Sequence, residues 1–209
     1  MVRIEQYISE FSRSVLSPWS ALAPWQLVAQ APQIVSELLK GLSAEEYEIV
    51  DDIAVHRTAV VEAGAVLKGP LIIGAHCFVA SGAYLRGGCW VDERCIFGPG
   101  AELKTSFVFR GSKLAHFNFV GDSVLGAGVN LEAGSIVCNY RNERADKEVR
   151  VNIGGQLVAT GCDKFGALIG DQGRIGANAV LAPGAVIEPG FVVRRGEVFD
   201  GEGGLPGSD

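Results

Sequence analysis

Long apolar runs are missing from this chain. None approaches the roughly 18 residues that a helix needs to cross a bilayer, although the mean hydropathy is +0.24. An excess of positive charge is missing too: 18 Lys and Arg against 24 Asp and Glu leave a net charge of −6, which speaks against nucleic acid or an anionic membrane as a partner. No Cys-x-x-Cys pair occurs, and the five cysteines are an odd number, so neither a disulfide framework nor a zinc ribbon is implied. The opening residues MVRIEQYISEF carry charges every few positions and lack the apolar stretch of a secretory signal. The expectation is a cytoplasmic protein with no membrane and no nucleic-acid partner. Histidine is scarce, with three residues, and aromatics make up 8% of the chain.

Glycine is plentiful, at 28 of 209 residues, close to twice the usual share of about 7%. Glycine-rich and aromatic-poor chains suit a fold with a turn every few residues and a narrow interior. A repeat of six makes this concrete. Apolar residues fall at Val55, Val61, Leu67, Ile73, Val79, Leu85, Val91, Phe97, Leu103 and Phe109, and again at Phe119, Leu125, Leu131 and Val137. A last series runs Ile169, Ile175, Leu181, Ile187, Val193. Four positions after most of these stands a small residue: Ala59, Ala65, Cys77, Ala83, Cys89, Cys95 and Ala101. Three cysteines thus occupy an alanine slot and read as small buried hydrophobes. A period of six matches neither a helix nor a simple amphipathic strand. It matches short strands joined by glycine-bearing turns that wind as a solenoid, with one aliphatic per turn stacking on its equivalents.

The first 50 residues lack the repeat. Ile4, Tyr7, Ile8 and Phe11 lie at helical spacing, Pro18 and Pro24 break the chain, and a second helix is predicted from Pro32 through Leu39. Ser43 and Glu46 suggest a capping box for a third short turn. The expected organisation is a helical cap over 1–50, placed over the open end of the solenoid to protect its apolar surface, then a solenoid over 51–200 and a disordered tail over 201–209.

The rhythm breaks between Phe109 and Phe119, around His116, and between Val137 and Ile153, in the charged stretch NYRNERADKEVRVN. Insertions in a solenoid become loops or bulges on one face, where function tends to sit. On that reasoning the first break is a bulge that moves His116 off the flat face toward a cleft.

The motif [LIV]-G-x-x-[small]-x resembles the hexapeptide-repeat transferases. That resemblance implies a left-handed parallel β-helix of triangular section. The stretch ELKTSFVFRGSKLAHFNFVGDSVLGAGVNLEAGSIVCNY (102–140) is more specific. With its flank from Arg86 it resembles the acetyltransferase half of the bifunctional N-acetylglucosamine-1-phosphate uridylyltransferase/glucosamine-1-phosphate acetyltransferases. The resemblance implies a mainly β single domain that transfers an acetyl group from acetyl-CoA, as co-substrate, to an amino-sugar phosphate such as glucosamine-1-phosphate, within UDP-N-acetylglucosamine biosynthesis. It places the catalytic base at His116, phosphate contacts at Arg86 and Lys104, and sugar contacts at Glu102, Asn130, Asn139 and Tyr140. The backbone that meets the thioester falls at Ala133. It also implies a homotrimer with sites between subunits, no metal requirement, and a separate uridylyltransferase as a candidate partner, because no nucleotide-binding LxxGxGTRM-like loop precedes the repeat.

The residue types suit this chemistry. A neutral histidine, with a reference pKa near 6.5, accepts the proton released as an amine attacks a thioester, and a backbone N–H can hold the oxyanion. Lys147 and Arg150 are further candidates for phosphate or coenzyme. Departures from the family pattern are Phe119 where it has tyrosine, a longer charged segment after Cys138-Asn139-Tyr140, and altered coils over ATGCDKFGALIGDQGRIG (159–176). They leave two alternatives open: another sugar or nucleotide-sugar acyltransferase of the same fold, and a non-catalytic solenoid that binds a sugar nucleotide or serves as a scaffold. His56 and His76 read as turn residues. The three histidines lie 20 and 40 positions apart, so the three-histidine zinc site of some hexapeptide enzymes is not expected.

Overall fold

The computed structural model describes residues 2–202. Pairs and triplets of strand residues alternate with corners, and successive coils stack into three parallel walls. Wall I has eight strands, from Tyr47–Val50 and Ile53–His56 through Leu71–Ile73, Cys89–Val91 and Phe107–Val108 to Ala185–Ile187. Walls II and III have seven each; Lys113–Leu114 and Asn130–Leu131 belong to II, and Tyr84–Arg86, Glu102–Lys104 and Phe119–Gly121 to III. Within the walls every pairing is parallel except that of Tyr47–Val50, which closes the first edge of wall I by running antiparallel to Ile53–His56. No helix among the described residues is long and apolar enough to cross a membrane.

The interior column is the six-residue repeat made solid. Ile73, Val79, Leu85, Val91, Phe97 and Leu103 are fully buried in one continuous core, and Cys77, Ala83, Cys89, Cys95 and Ala101 fill the narrow slots between them. Each aliphatic so buried contributes roughly 1.5–3 kcal/mol. Burial pushes the Cys89 thiol up to about 11, as expected for an inert interior sulfur.

The first break is a deletion, which corrects the bulge expected around His116. Early coils are 18 residues long, with Leu71 facing Cys89; then Trp90 faces Phe107 and Phe107 faces Val124, each 17 on. The missing residue is lost at the corner from wall III to wall I, where the core steps by five from Leu103 to Val108 and from Val120 to Leu125. Thr105 and Asp122 make these tight corners in the left-handed region, each at φ 48°. Buried Ser106 and Ser123 seal them: Ser106 Oγ donates to the Lys104 carbonyl and accepts from Ser123 N–H. Val108, Leu114 and Val120 therefore hold the column positions. Phe109 packs outside, against Trp90 and Phe11, and Phe119 lies half-buried on the outer side of wall III.

The second break is a true excursion. Val124 faces Leu168, 44 positions on, and the intervening chain carries a hairpin of Arg150–Ile153 and Gln156–Ala159. Its neck closes where Phe165 N–H donates to the Asn139 carbonyl at 3.2 Å.

The N-terminal segment flanks the solenoid along wall I instead of lying over its end. Helix α1 (Pro24–Ala29) starts at Pro24, where a break was expected, and α2 (Ala31–Leu39) follows as predicted. Ile4, Ile8 and Phe11 sit in two separate 3₁₀ turns and the link between them, not in one helix, and the Ser43–Glu46 stretch is a single turn. All of this packs on the outward residues Ala54, Ile72, Trp90, Phe107, Val124 and Leu168 of wall I. Trp25 meets Phe165 edge-on at 6.0 Å. At the far end Ser9 N–H and Oγ donate to Asp171 Oδ2 at 2.9 and 2.7 Å. Wall I is thus apolar on both faces, which is why its strands read as unbroken hydrophobic runs. Gly201 and Glu202 are held: Arg144 bonds the Glu202 carboxylate, and Arg150 N–H donates to it at 2.8 Å. The rest of the expected tail, 203–209, lies outside the described residues.

Candidate functional site

The corner between walls II and III needs one residue per coil in the left-handed region. Gly64, Gly82, Gly100, Gly134 and Gly196 supply it, with Asn178 in one coil. Phe117 is the exception, at φ 52°. A bulky side chain in this region costs about 1–2 kcal/mol, and such outliers cluster at functional sites. Phe117 is also 69% exposed, so packing does not repay the cost. His116 precedes it, exposed in the same turn.

The turn is seated closely on the coil below. A Cβ on Gly98 would stand 1.6 Å from the Ala115 carbonyl oxygen and 3.3 Å from His116 Nδ1; only glycine allows this approach. Phe117 N–H donates to the Pro99 carbonyl at 3.0 Å, and its ring lies over Gly100. On the other side, Gly134 N–H donates to the His116 carbonyl at 2.9 Å. Ala133, exposed, therefore stacks one coil beyond His116.

The Glu132–Ala133 peptide is polarised from one side. Its oxygen accepts from Asn118 Nδ2 at 2.8 Å, Ser135 Oγ at 2.9 Å and Ser135 N–H at 3.3 Å. Its nitrogen, the Ala133 N–H, donates to no group among the described residues. The equivalent N–H groups in the neighbouring coils are occupied: that of His116 bonds Asn118 Oδ1, and that of Ala177 bonds Glu132 Oε2. Hydrogen bonds that converge on a peptide oxygen strengthen its N–H as a donor.

Farther along this corner runs a groove of about 500 Å³ lined by Asn130, Glu132, Arg174, Arg194 and Arg195. Arg195 grips the Glu132 carboxylate with two bonds of 2.7 and 2.8 Å. The Arg195 hydrogen bonds and the Ala177 N–H hold that carboxyl down at about 2. Arg174 and Arg194 carry no ion pair among the described residues.

No family model matches the chain. It is 41% identical over 87 residues to a bifunctional sugar-1-phosphate nucleotidylyltransferase/acetyltransferase of Sulfurisphaera tokodaii, which covers 42% of this chain and 21% of that protein. It is 35% identical over 167 residues to the bifunctional protein GlmU of Methanococcus maripaludis, covering 77% of this chain and 39% of that one. The chain is a hexapeptide-repeat solenoid related to GlmU. It spans between a fifth and two fifths of the length of these two relatives. Among solved structures, a hexapeptide transferase family protein of Anaplasma phagocytophilum aligns over 70% of this chain and 72% of its own, at 16% identity and a TM-score of 0.34.

The GlmU-like residues fall into three groups. His116 and Ala133 share the corner. Arg86, Glu102, Lys104 and Asn139 line the outer side of wall III, and both cations of this group already have a carboxylate. Arg86 binds Glu102 at 2.7 and 2.9 Å, and Lys104 binds Asp122 at 2.8 and 3.0 Å. Asn139 Nδ2 also donates to Asp122. The third group lies apart: Asn130 is on wall II, and Tyr140 is on the excursion, with Lys147 Nζ 5.1 Å from its ring centre. Lys147 also donates to the Arg141 and Asn142 carbonyls, and Arg150 pairs with Asp146, so both basic residues serve the loop itself. His56 bonds Thr58 and stacks on Tyr47, and His76 sits in a left-handed turn.

Sequence reasoning missed Asn118 and Phe117. Both carried a signal: Asn118 occupies a small buried slot, four after Leu114, and Phe117 interrupts a column of glycines.

Proposed function

We propose that this chain transfers the acetyl group of acetyl-CoA to the amino group of an amino-sugar phosphate, glucosamine-1-phosphate being the first acceptor to test. The observation that carries the reading is the corner itself. An exposed imidazole at His116 lies one coil from a peptide with three donors on its oxygen and an unengaged N–H at Ala133. The thioester carbonyl docks against that N–H, so the charge that grows on its oxygen is met by a preformed dipole. The attacking nitrogen forms its bond to the carbonyl carbon and gives its proton to His116; collapse breaks the C–S bond and releases coenzyme A. The groove with Arg174, Arg194 and Arg195 suits the phosphates of the coenzyme. The Sulfurisphaera tokodaii relative, named in part as an acetyltransferase, supports the same chemistry.

Three copies of the chain, with each site between neighbours, belong to this reading, and light scattering that finds a monomer at micromolar concentration would count against it. A second reading, an acceptor linked to a nucleotide, is favoured by two observations. Arg86 and Lys104 are already paired, so a bare sugar phosphate would have to compete with Glu102 and Asp122 for them; and the exposed ring of Phe117 offers a stacking surface beside His116.

The test measures thiol release from acetyl-CoA over a panel of amino-sugar phosphates and nucleotide-linked amino sugars, for wild type and His116→Ala. Thiol released by the wild type and lost in the variant, with a melting temperature unchanged, is the expected result. A folded wild type that releases no thiol with any acceptor refutes the reading.

A further inference from the structure

Asn118 occupies a position that the repeat assigns to alanine or cysteine. It is 2% exposed, and a buried amide is costly unless its hydrogen bonds are made. Here every one of them is spent on the corner. Oδ1 accepts the His116 N–H at 3.0 Å. Nδ2 donates to the Glu132 carbonyl at 2.8 Å and to Ser135 Oγ at 2.9 Å. One side chain thus joins the turn that carries the imidazole to the peptide that carries the Ala133 N–H, across two coils. No other side chain among the described residues bonds both.

We infer that Asn118 is a positioning residue. It fixes the spacing between the His116 turn and the Glu132–Ala133 peptide, and by donating to the oxygen of that peptide it orients and strengthens the N–H on its other side. An alanine in this slot would keep the coil packed while leaving the two reacting elements joined only through the Gly134 N–H bond to the His116 carbonyl. This inference rests on the acyl-transfer reading of the corner.

Asn118→Asp tests it. The carboxylate retains an oxygen for the His116 N–H but turns a second oxygen, without a proton, toward the Glu132 carbonyl. When protonated, the same group again donates there. The expected result is a kcat lowered by about a hundredfold at neutral pH, the loss associated with misplacing reacting groups by about 1 Å, with KM for acetyl-CoA and acceptor within about twofold of wild type. Measured against wild type at the same pH, the activity of the variant should recover as the pH falls and the carboxyl takes up its proton. Ser135→Ala, which removes one of the donors to the Glu132 carbonyl, should lower kcat by a smaller factor with no recovery relative to wild type as the pH falls.

An active wild type beside an Asn118→Asp protein of unaltered kcat, or of lowered kcat with a wild-type pH profile, overturns this inference alone. A wild type silent on every acceptor overturns the acyl-transfer reading and this inference with it. Should Asn118→Asp fail to fold at neutral pH, Ser135→Ala decides: an unchanged kcat there counts against the positioning role.

Discussion

Replacing Gly98 by alanine tests how closely the His116 turn is seated. The new Cβ would lie 1.6 Å from the Ala115 carbonyl oxygen. Ordinary contact begins at 3.4 Å, so the turn must retreat by about 1.8 Å. Backbone carries most of that movement, because the atom in the way is a carbonyl oxygen and its carbon is 2.7 Å from the same Cβ. Overpacking of this kind costs about 1–3 kcal/mol, which in a chain of this size lowers the melting temperature by roughly 2–12 °C. The fold survives, since the interior column at Phe97 and Leu114 is untouched. Activity does not survive in proportion, because a shift of about 1 Å in a reacting group already costs about a hundredfold. The assay is thiol release under saturating acetyl-CoA, beside circular dichroism melting of the same samples. Gly190→Ala serves as the comparison: it has φ 72° but nothing within 4 Å, so it should lose a little stability and no activity. A Gly98→Ala protein with kcat within threefold of wild type would refute the argument that this turn places the base.

Two further outcomes follow from charges near the corner and the chain's end. Glu132, held at about 2 by Arg195 and the Ala177 N–H, has a folded value below its unfolded one. Its contribution to stability is therefore present above the ordinary carboxylate range and is lost progressively as pH falls from that range through about 2. A carboxyl NMR titration should find that midpoint, and Arg195→Ala should raise it; a midpoint unmoved by the substitution would remove Arg195 as the cause. Arg141, with 4% of its side chain exposed, bonds Asp200 twice at 2.8 Å and the Pro183 carbonyl at 2.8 Å. Arg141→Ala removes these bonds and the buried cation that makes them, a loss of about 3 kcal/mol or roughly 6–12 °C by thermal melting; a loss under 2 °C would mean that the clasp is dispensable.

The interior column was legible because one aliphatic every six residues has no other simple explanation. It failed between Leu103 and Leu125 for a physical reason. Two corners lose one residue each, and a search in steps of six lands on Phe109 and Phe119 instead of Val108 and Val120. Phe109 is apolar because it packs under the N-terminal segment, so hydrophobicity alone could not reveal the slip. The doublets Thr105-Ser106 and Asp122-Ser123, 17 apart, mark both shortened corners. At the corner, His116 and Ala133 were singled out through resemblance. The pairing of Arg86 with Glu102 and of Lys104 with Asp122 was hidden, because partners 16 and 18 residues apart meet only once the coil lengths are known. The place of the helical segment was hidden for the same reason: nothing in its own residues says which surface of the solenoid is apolar.

That segment reverses the usual order of events in chain synthesis. Residues 2–39 leave the ribosome before the wall they cover, which is completed late. Ser9 waits for Asp171, 162 residues downstream, which at about 5–20 residues per second is roughly 8–30 s of elongation. During that interval Phe11, Trp25, Leu27 and Val28 have only part of their surface to bury against, while each new coil adds another bare apolar strip. Contacts of such long range thus close late, and a segment made before the coils settles only after them.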